Sequence, residues 1–276
     1  MSAALALVPS SAASARPSAS PCPPLHMVQL RFDTNTLQRS QRRQRLPPDL
    51  EDLGYLLHGQ LAALFGDLAP KPFFARPVAG ARSGCRGVEV FGYGPAGGEA
   101  LCHSAALFAE PADVVALDTL AVKALPRAWS PGLRLGFEVR VCPVVRLASA
   151  SSLGSAGAEV DVFVAARAKA EEADPNGPLP GRAESYARWL EHALGKAATL
   201  DACTVKHHRQ VRLFRRTQGQ RRRPRVLERP EAMLAGSLTV RDGAAFGHVL
   251  ARGIGRHRAF GFGMLLLRPS VSNRFS

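Results

Sequence analysis

The sequence predicts an α+β fold of two tandem ferredoxin-like (RRM-like) domains, and three observations carry that prediction. An early period-two strand, Val28, Leu30 and Phe32, is followed by a helix whose leucines recur at helical spacing. A clearer strand further on puts Leu133, Leu135, Phe137, Val139 and Val141 on one face, with Arg134, Glu138 and Arg140 on the other. The chain then closes on strand, helix and strand: Leu234–Val240, a helix capped by Asp242 with Phe246, Val249, Leu250 and Ile254 at a 3.6-residue period, and a buried apolar run from Phe262 to Leu267. Strand–helix–strand occurring twice points to two small split βαβ units.

Length and composition agree with this. The 276 residues, 46% of them apolar, can bury one large or two small cores. The expected division is a disordered extension over 1–26, one domain over 27–126 and a second over 127–270. Lys and Arg number 36 against 22 acids, a formal charge of +14, which solubility alone does not require and which points to a polyanionic partner. Nucleic acid comes first and an anionic membrane surface second, although every apolar run is shorter than the roughly 20 residues needed to span a bilayer. Cys22, Cys85, Cys102, Cys142 and Cys203 are odd in number and scattered, so neither a disulfide framework nor a zinc site is expected and a reducing cytoplasm fits.

Taken in order, the extension is Ala, Ser and Pro-rich, and no periodic pattern survives its prolines. After the first strand, Arg39–Arg45 reads as a basic loop, and Pro47-Pro48-Asp49 as a helix start with Asp49 as cap. Leu50, Leu53, Leu57, Leu61 and Leu64 form the core stripe of that helix, and Tyr55 and His58 sit off it. Val88 and Val90 suggest a strand, Gly92–Gly98 a turn, and Leu101–Leu107 and Leu117–Leu125 two further strands. Pro143 ends the clear strand, Arg146 follows, and 148–181 reads as a long surface loop or insertion with a short element at Val160–Val164. Tyr186, Trp189, Leu190, Ala193 and Leu194 mark an amphipathic helix stopped near Gly195.

Two stretches concentrate positive charge. Cys203–Pro230 holds Lys206, Arg209, Arg212, Arg215, Arg216, Arg221, Arg222, Arg223, Arg225 and Arg229 against the single acid Glu228, and reads as a basic β-hairpin or ordered loop turning at Gly219. Gly253, Gly255, Gly261 and Gly263 enclose Arg256, His257 and Arg258, a loop that could offer backbone N–H groups and charge to a phosphate. A helix precedes this loop and a strand follows it, the reverse of the dinucleotide fingerprint, so no nucleotide cofactor is expected. Tyr55 and His58, three apart on one helix face, are a candidate proton-transfer pair. RNA brings its own nucleophile, the 2′-OH, so such a pair with a nearby cation could cleave it without a metal. No DxD cluster, HExxH, Walker lysine loop or GxSxG elbow offers another chemistry.

Three features together resemble the CasE subunits of type I-E CRISPR Cascade complexes. They are the Gly253–Gly263 signature, Tyr55-Leu56-Leu57-His58, which matches a Tyr-x-x-His on the family's first helix, and Phe137–Pro143, which resembles the strand opening the family's second domain. The resemblance covers roughly 27–269 and implies tandem ferredoxin-like domains, catalytic His58 and Tyr55, and metal-independent cleavage of CRISPR repeat hairpins to a 2′,3′-cyclic phosphate. It further implies retention of the crRNA hairpin beside other Cascade subunits, with the basic hairpin entering the RNA stem groove. Arg140 and Arg146 are secondary candidates for phosphate contact, and no cofactor or metal is implied. Which proton Tyr55 and His58 each handle stays open, and a non-catalytic RNA-hairpin-binding subunit of the same fold is the alternative. Cys142 stands where the family carries Asn, and 148–181 replaces its basic loop with an acidic, Ala/Gly-rich one.

Overall fold

A computed structural model describes residues 24–43, 46, 52–79, 86–107, 115–216 and 224–269. The first unit runs β1 (His26–Asp33), α1 (Thr34–Arg43), α2 (Leu53–Phe65), β2 (Phe73–Ala79), β3 (Arg86–Gly94), α3 (Gly98–Ala106) and β4 (Val115–Ala124), with sheet order β2-β3-β1-β4. The second runs β5 (Arg134–Val141), β6 (Val144–Arg146), β7 (Glu159–Asp161), α4 (Val162–Ala173), α5 (Arg182–Leu194), β8 (Ala198–Arg216), β9 (Pro224–Val240), α6 (Gly243–Arg252) and β10 (Leu266–Pro269). Its main sheet is ordered β10-β5-β9-β8, and all pairings in both sheets are antiparallel. In each unit the first strand lies between the third and the fourth, which is the ferredoxin-like arrangement twice over.

Each sheet buries one face against its helices. Val28, Leu30, Phe32, Val88 and Val90 meet Leu57, Leu61 and Leu64 of α2 and Leu101 of α3. The opposite face of the first sheet is not left to solvent. Phe74, Phe91 and Tyr93 enter the core of the second unit with Phe137, Leu234 and Leu265, and the Tyr93 hydroxyl donates to the Leu265 carbonyl at 2.8 Å. Alternation along β3 explains this, since Val88 and Val90 face one way and Glu89, Phe91 and Tyr93 the other.

Several expectations need correction. Part of the basic stretch Arg39–Arg45 is not a loop: it continues α1 as far as Arg43, with Leu37 buried under β1. Leu101–Leu107 is largely the helix α3, because Leu101 and Ala105, four apart, are what the first core receives. Edge strand β2 was not foreseen, since Pro77 argues against a strand, yet an edge position tolerates it. The 148–181 segment is not a surface loop throughout: it carries β7, which pairs with β6 just ahead of the segment, and then α4, whose alanines are strong helix formers. Asp161 anchors it by accepting from Phe163 N–H at 2.9 Å, Arg182 at 2.8 Å and the buried Tyr186 hydroxyl at 3.0 Å. Residues 1–23 of the expected extension, and Asp49, lie outside the described residues. The fold takes in Leu25 and His26, whose strand begins one residue ahead of Met27.

The basic hairpin is present as β8 and β9, paired as far as Arg216 opposite Pro224. Leu213 and Leu227, directly opposed, pack on Cys142, Val144 and Phe262. Cys142 is therefore a packing group, its thiol pushed up to about 12 chiefly by burial.

Candidate active site

The N-terminus of α2 is tied to the basic hairpin by one carboxylate. Asp52, not Asp49, caps the helix: its Oδ1 accepts from Tyr55 N–H at 3.0 Å. Its Oδ2 accepts from Phe214 N–H at 2.9 Å and from Arg215 Nη1 at 2.8 Å, both on β8. Burial weighs against the Arg215 guanidinium, which Asp52 opposes. Tyr55 then meets the Phe214 ring edge-on at 4.9 Å and runs parallel to Phe260 at 6.2 Å. One turn further along, His58 packs on Phe260 at 4.7 Å, and Arg215 lies 3.6 Å over the same ring.

His58 is half-buried and faces away from the leucines of its own helix. Its pKa is held below 6.5 by burial first, then by the charges of Lys71 and Arg215. The ring is therefore mostly neutral at pH 7 and able to accept a proton. Lys71 was missed by sequence reasoning, since it is a single cation between Pro70 and Pro72 with no cluster to mark it. It is exposed and lines a cavity with Arg252, Arg256, Arg258 and Phe260.

The glycine loop is largely a docking device. Gly253, Gly255, Gly261 and Gly263 all have positive φ, from 72° to 81°. A Cβ on Gly263 would lie 2.2 Å from the Ile254 carbonyl oxygen, and one on Gly253 2.8 Å from Pro72. The Gly253 N–H donates to Val249 and the Gly263 N–H to Arg140, at 2.8 and 2.7 Å, so at these two positions the expected phosphate-cradling amides are spent within the fold. From the other side, helix α2 approaches so closely that a Cβ on Gly54 would stand 2.1 Å from the Phe260 carbonyl oxygen. Gly54→Ala is expected to cost about 1–3 kcal/mol through this clash, read as a lowered melting temperature with the α2–loop packing loosened.

The other predicted contacts divide sharply. Arg256 pairs with Glu159 at 2.9 Å, His257 turns inward, and Arg258 donates to the Arg252 carbonyl at 2.7 Å. Glu159, from the segment expected to be a surface loop, also binds Arg229 at 2.9 Å. Arg140 is bound to Glu231 and lies 4.4 Å over Phe262, and Arg209 reaches Glu231 at 2.9 Å. Arg140 is thus an internal strut rather than a displayed phosphate ligand. Arg146, Lys206, Arg212 and Arg225 are exposed and form no ion pair among the described residues. Arg216 ends β8, while Arg221, Arg222 and Arg223 lie outside the described residues.

A family model described as CRISPR associated protein matches residues 25–269. Among solved structures, the CRISPR endoribonuclease Cse3 bound to a 19-nucleotide RNA is 18% identical, with a TM-score of 0.55 over 89% of this chain and 100% of that one. Cse3 of Thermus thermophilus bound to an RNA representing a pre-cleavage complex gives 18%, 0.55, 89% and 100%. A chain of a CRISPR RNA-guided surveillance complex gives 14%, 0.50, 88% and 99%. At these identities the likeness is one of fold. No curated protein sequence matches the chain.

Proposed function

This chain belongs to the CRISPR-associated protein family, and on that premise we propose that it is an endoribonuclease that cuts CRISPR repeat hairpins and keeps the crRNA within a type I-E Cascade complex in the cytoplasm. One observation carries the reading: Tyr55 and His58 converge with Phe260, Arg215 and Lys71 where α2, the basic hairpin and the glycine loop meet. The complex with other subunits is inferred from the surveillance-complex relative.

In the proposed reaction, neutral His58 takes the proton of the 2′-OH, and that oxygen attacks the adjacent phosphorus. The bond from phosphorus to the 5′-oxygen breaks, and the Tyr55 hydroxyl protonates the leaving oxygen before recovering a proton from solvent. The products are a 2′,3′-cyclic phosphate and a 5′-hydroxyl. Lys71, an exposed cation near His58, offsets the negative charge building on the non-bridging phosphate oxygens. Incubating the chain with its repeat RNA in EDTA and mapping the product ends tests this, a cyclic phosphate end being expected and an uncut hairpin overturning it.

The stem is gripped through phosphates by the exposed cations of the hairpin, as A-form RNA requires. Replacing Lys206, Arg212 and Arg225 together by glutamine is expected to reduce the slope of log affinity against log salt by about 2.7, at about 0.9 for each duplex phosphate no longer neutralised. The same triple change at Arg140, Arg229 and Arg256, which are bound to carboxylates, is expected to change the slope far less and the melting temperature far more.

A further inference from the structure

His257 is the one non-glycine residue with a left-handed backbone among the described residues, at φ 58°. Few non-glycine residues adopt this conformation, Asn, Asp and His most often among them, so the contacts that hold it here are informative. The imidazole is only 13% exposed and is held between two charged groups. Its Nδ1 is 3.4 Å from Arg215 Nη2 on β8, and its Nε2 is 3.6 Å from Glu159 Oε2 on β7. Arg229 of β9 and Arg256 of the same loop share Glu159, and the Phe262 ring is 6.3 Å away.

We propose that His257 is a positioning residue of the cleavage site, which fixes the Arg215 guanidinium over the Phe260 ring by accepting from its second terminal nitrogen. Asp52 already holds Nη1 at 2.8 Å, and a planar guanidinium held at both terminal nitrogens cannot swing off the ring. Phe260 carries His58 on the same ring, so the orientation of Arg215 is felt at the proton-transfer group. This rests on the reading of His58 given above. Glu159 makes the arrangement depend on the β6–β7 hairpin, giving that segment a role at the site.

The donor facing Nδ1 assigns the imidazole proton to Nε2, toward Glu159. Burial first and then Arg215 hold the ring below 6.5, with Glu159 opposing and Arg229 reinforcing. Acidification would put a proton on Nδ1 against Arg215 and draw the ring toward Glu159, so the hold on Arg215 is present at neutral pH and lost as pH falls through the lowered value.

The test uses the full chain with His257→Gly, since glycine adopts this backbone freely and only the imidazole is removed. The melting temperature is expected to stay level or rise. The His58 titration followed by NMR, which needs no RNA, is expected to move up toward 6.5 as Arg215 swings away. Single-turnover cleavage is expected to fall roughly ten- to hundredfold with RNA affinity unchanged, as for a misplaced reacting group. His257→Asn, which tolerates the left-handed backbone and offers an amide oxygen to Arg215, is expected to restore most of both. A glycine variant with an unmoved His58 titration and undiminished cleavage overturns the proposal. Should the unaltered chain cut no RNA, the nuclease reading fails, and the His58 titration alone still decides whether His257 positions Arg215.

Discussion

Replacing His58 by alanine is expected to slow single-turnover cleavage of the repeat hairpin about 10²- to 10⁴-fold, the usual contribution of a positioned general base. RNA affinity should barely change, because the ring is half-buried against Phe260 and the exposed cations Lys206, Arg212 and Arg225 lie on the hairpin. Tyr55→Phe keeps the packing on Phe214 and Phe260, so its loss in rate reports the hydroxyl alone. A His58→Ala protein that cuts at the unaltered rate in EDTA would overturn the assignment of His58 as the base, whereas an unaltered chain that binds the hairpin without cutting it would leave only an RNA-hairpin binder. The pH profile offers an independent check. His58 is lowered below 6.5, so as a base it is mostly unprotonated at pH 7 and the rate falls as pH drops through that lowered value. Lys71→Met removes the first of the two cationic causes and is expected to shift this acid limb upward, toward 6.5, while lowering the maximal rate.

Asp52→Ala is expected to have the largest effect on stability, about 3–5 kcal/mol, because it strips the partner from a buried guanidinium. Arg215 and Asp52 side chains are 15% and 4% exposed, so solvent can do little to replace the missing carboxylate. The same change removes the α2 cap and the acceptor for Phe214 N–H. Asp52→Asn keeps a cap acceptor and loses the charge, so it should fall between the two. Chemical denaturation of the three proteins measures this ordering, and equal stability of Asp52→Ala and the unaltered chain would remove Asp52 from its place as the joint between the units. Cleavage by Asp52→Ala is expected to fall as well, since both Arg215 and the start of the His58 helix lose their anchor.

Much of the fold could be read from local pattern. Leu57, Leu61 and Leu64 bury where the helical stripe puts them, and Tyr55 and His58 emerge on the other side because 100° per residue leaves them no choice. The hairpin and the closing strand–helix–strand follow from alternation and from Asp242, whose Oδ1 accepts from Ala245 N–H at 2.9 Å, although the last strand is Leu266–Pro269 and the buried run Phe262–Leu265, expected within it, precedes it. Elements without such a pattern went unseen. α1 has one buried leucine in a polar run, α3 shows only Leu101 and Ala105, and α4 is hidden among alanines that look like filler.

At the site the division is of a different kind. Composition counts every arginine alike, and periodicity places the proton-transfer pair on a helix face; these the chain determines residue by residue. Whether a cation is displayed or consumed depends on which carboxylate it meets, and those partners are remote: Asp52 and Arg215 are 163 residues apart, Arg140 and Glu231 91, and Arg229 and Glu159 70. Only the packed fold brings such pairs within a few ångströms and excludes the water that would otherwise screen them. That is why Lys206, Arg212 and Arg225 remain exposed while Arg140, Arg229 and Arg256 are bound as struts, and why His257, one more basic residue in the sequence, turns inward onto Arg215.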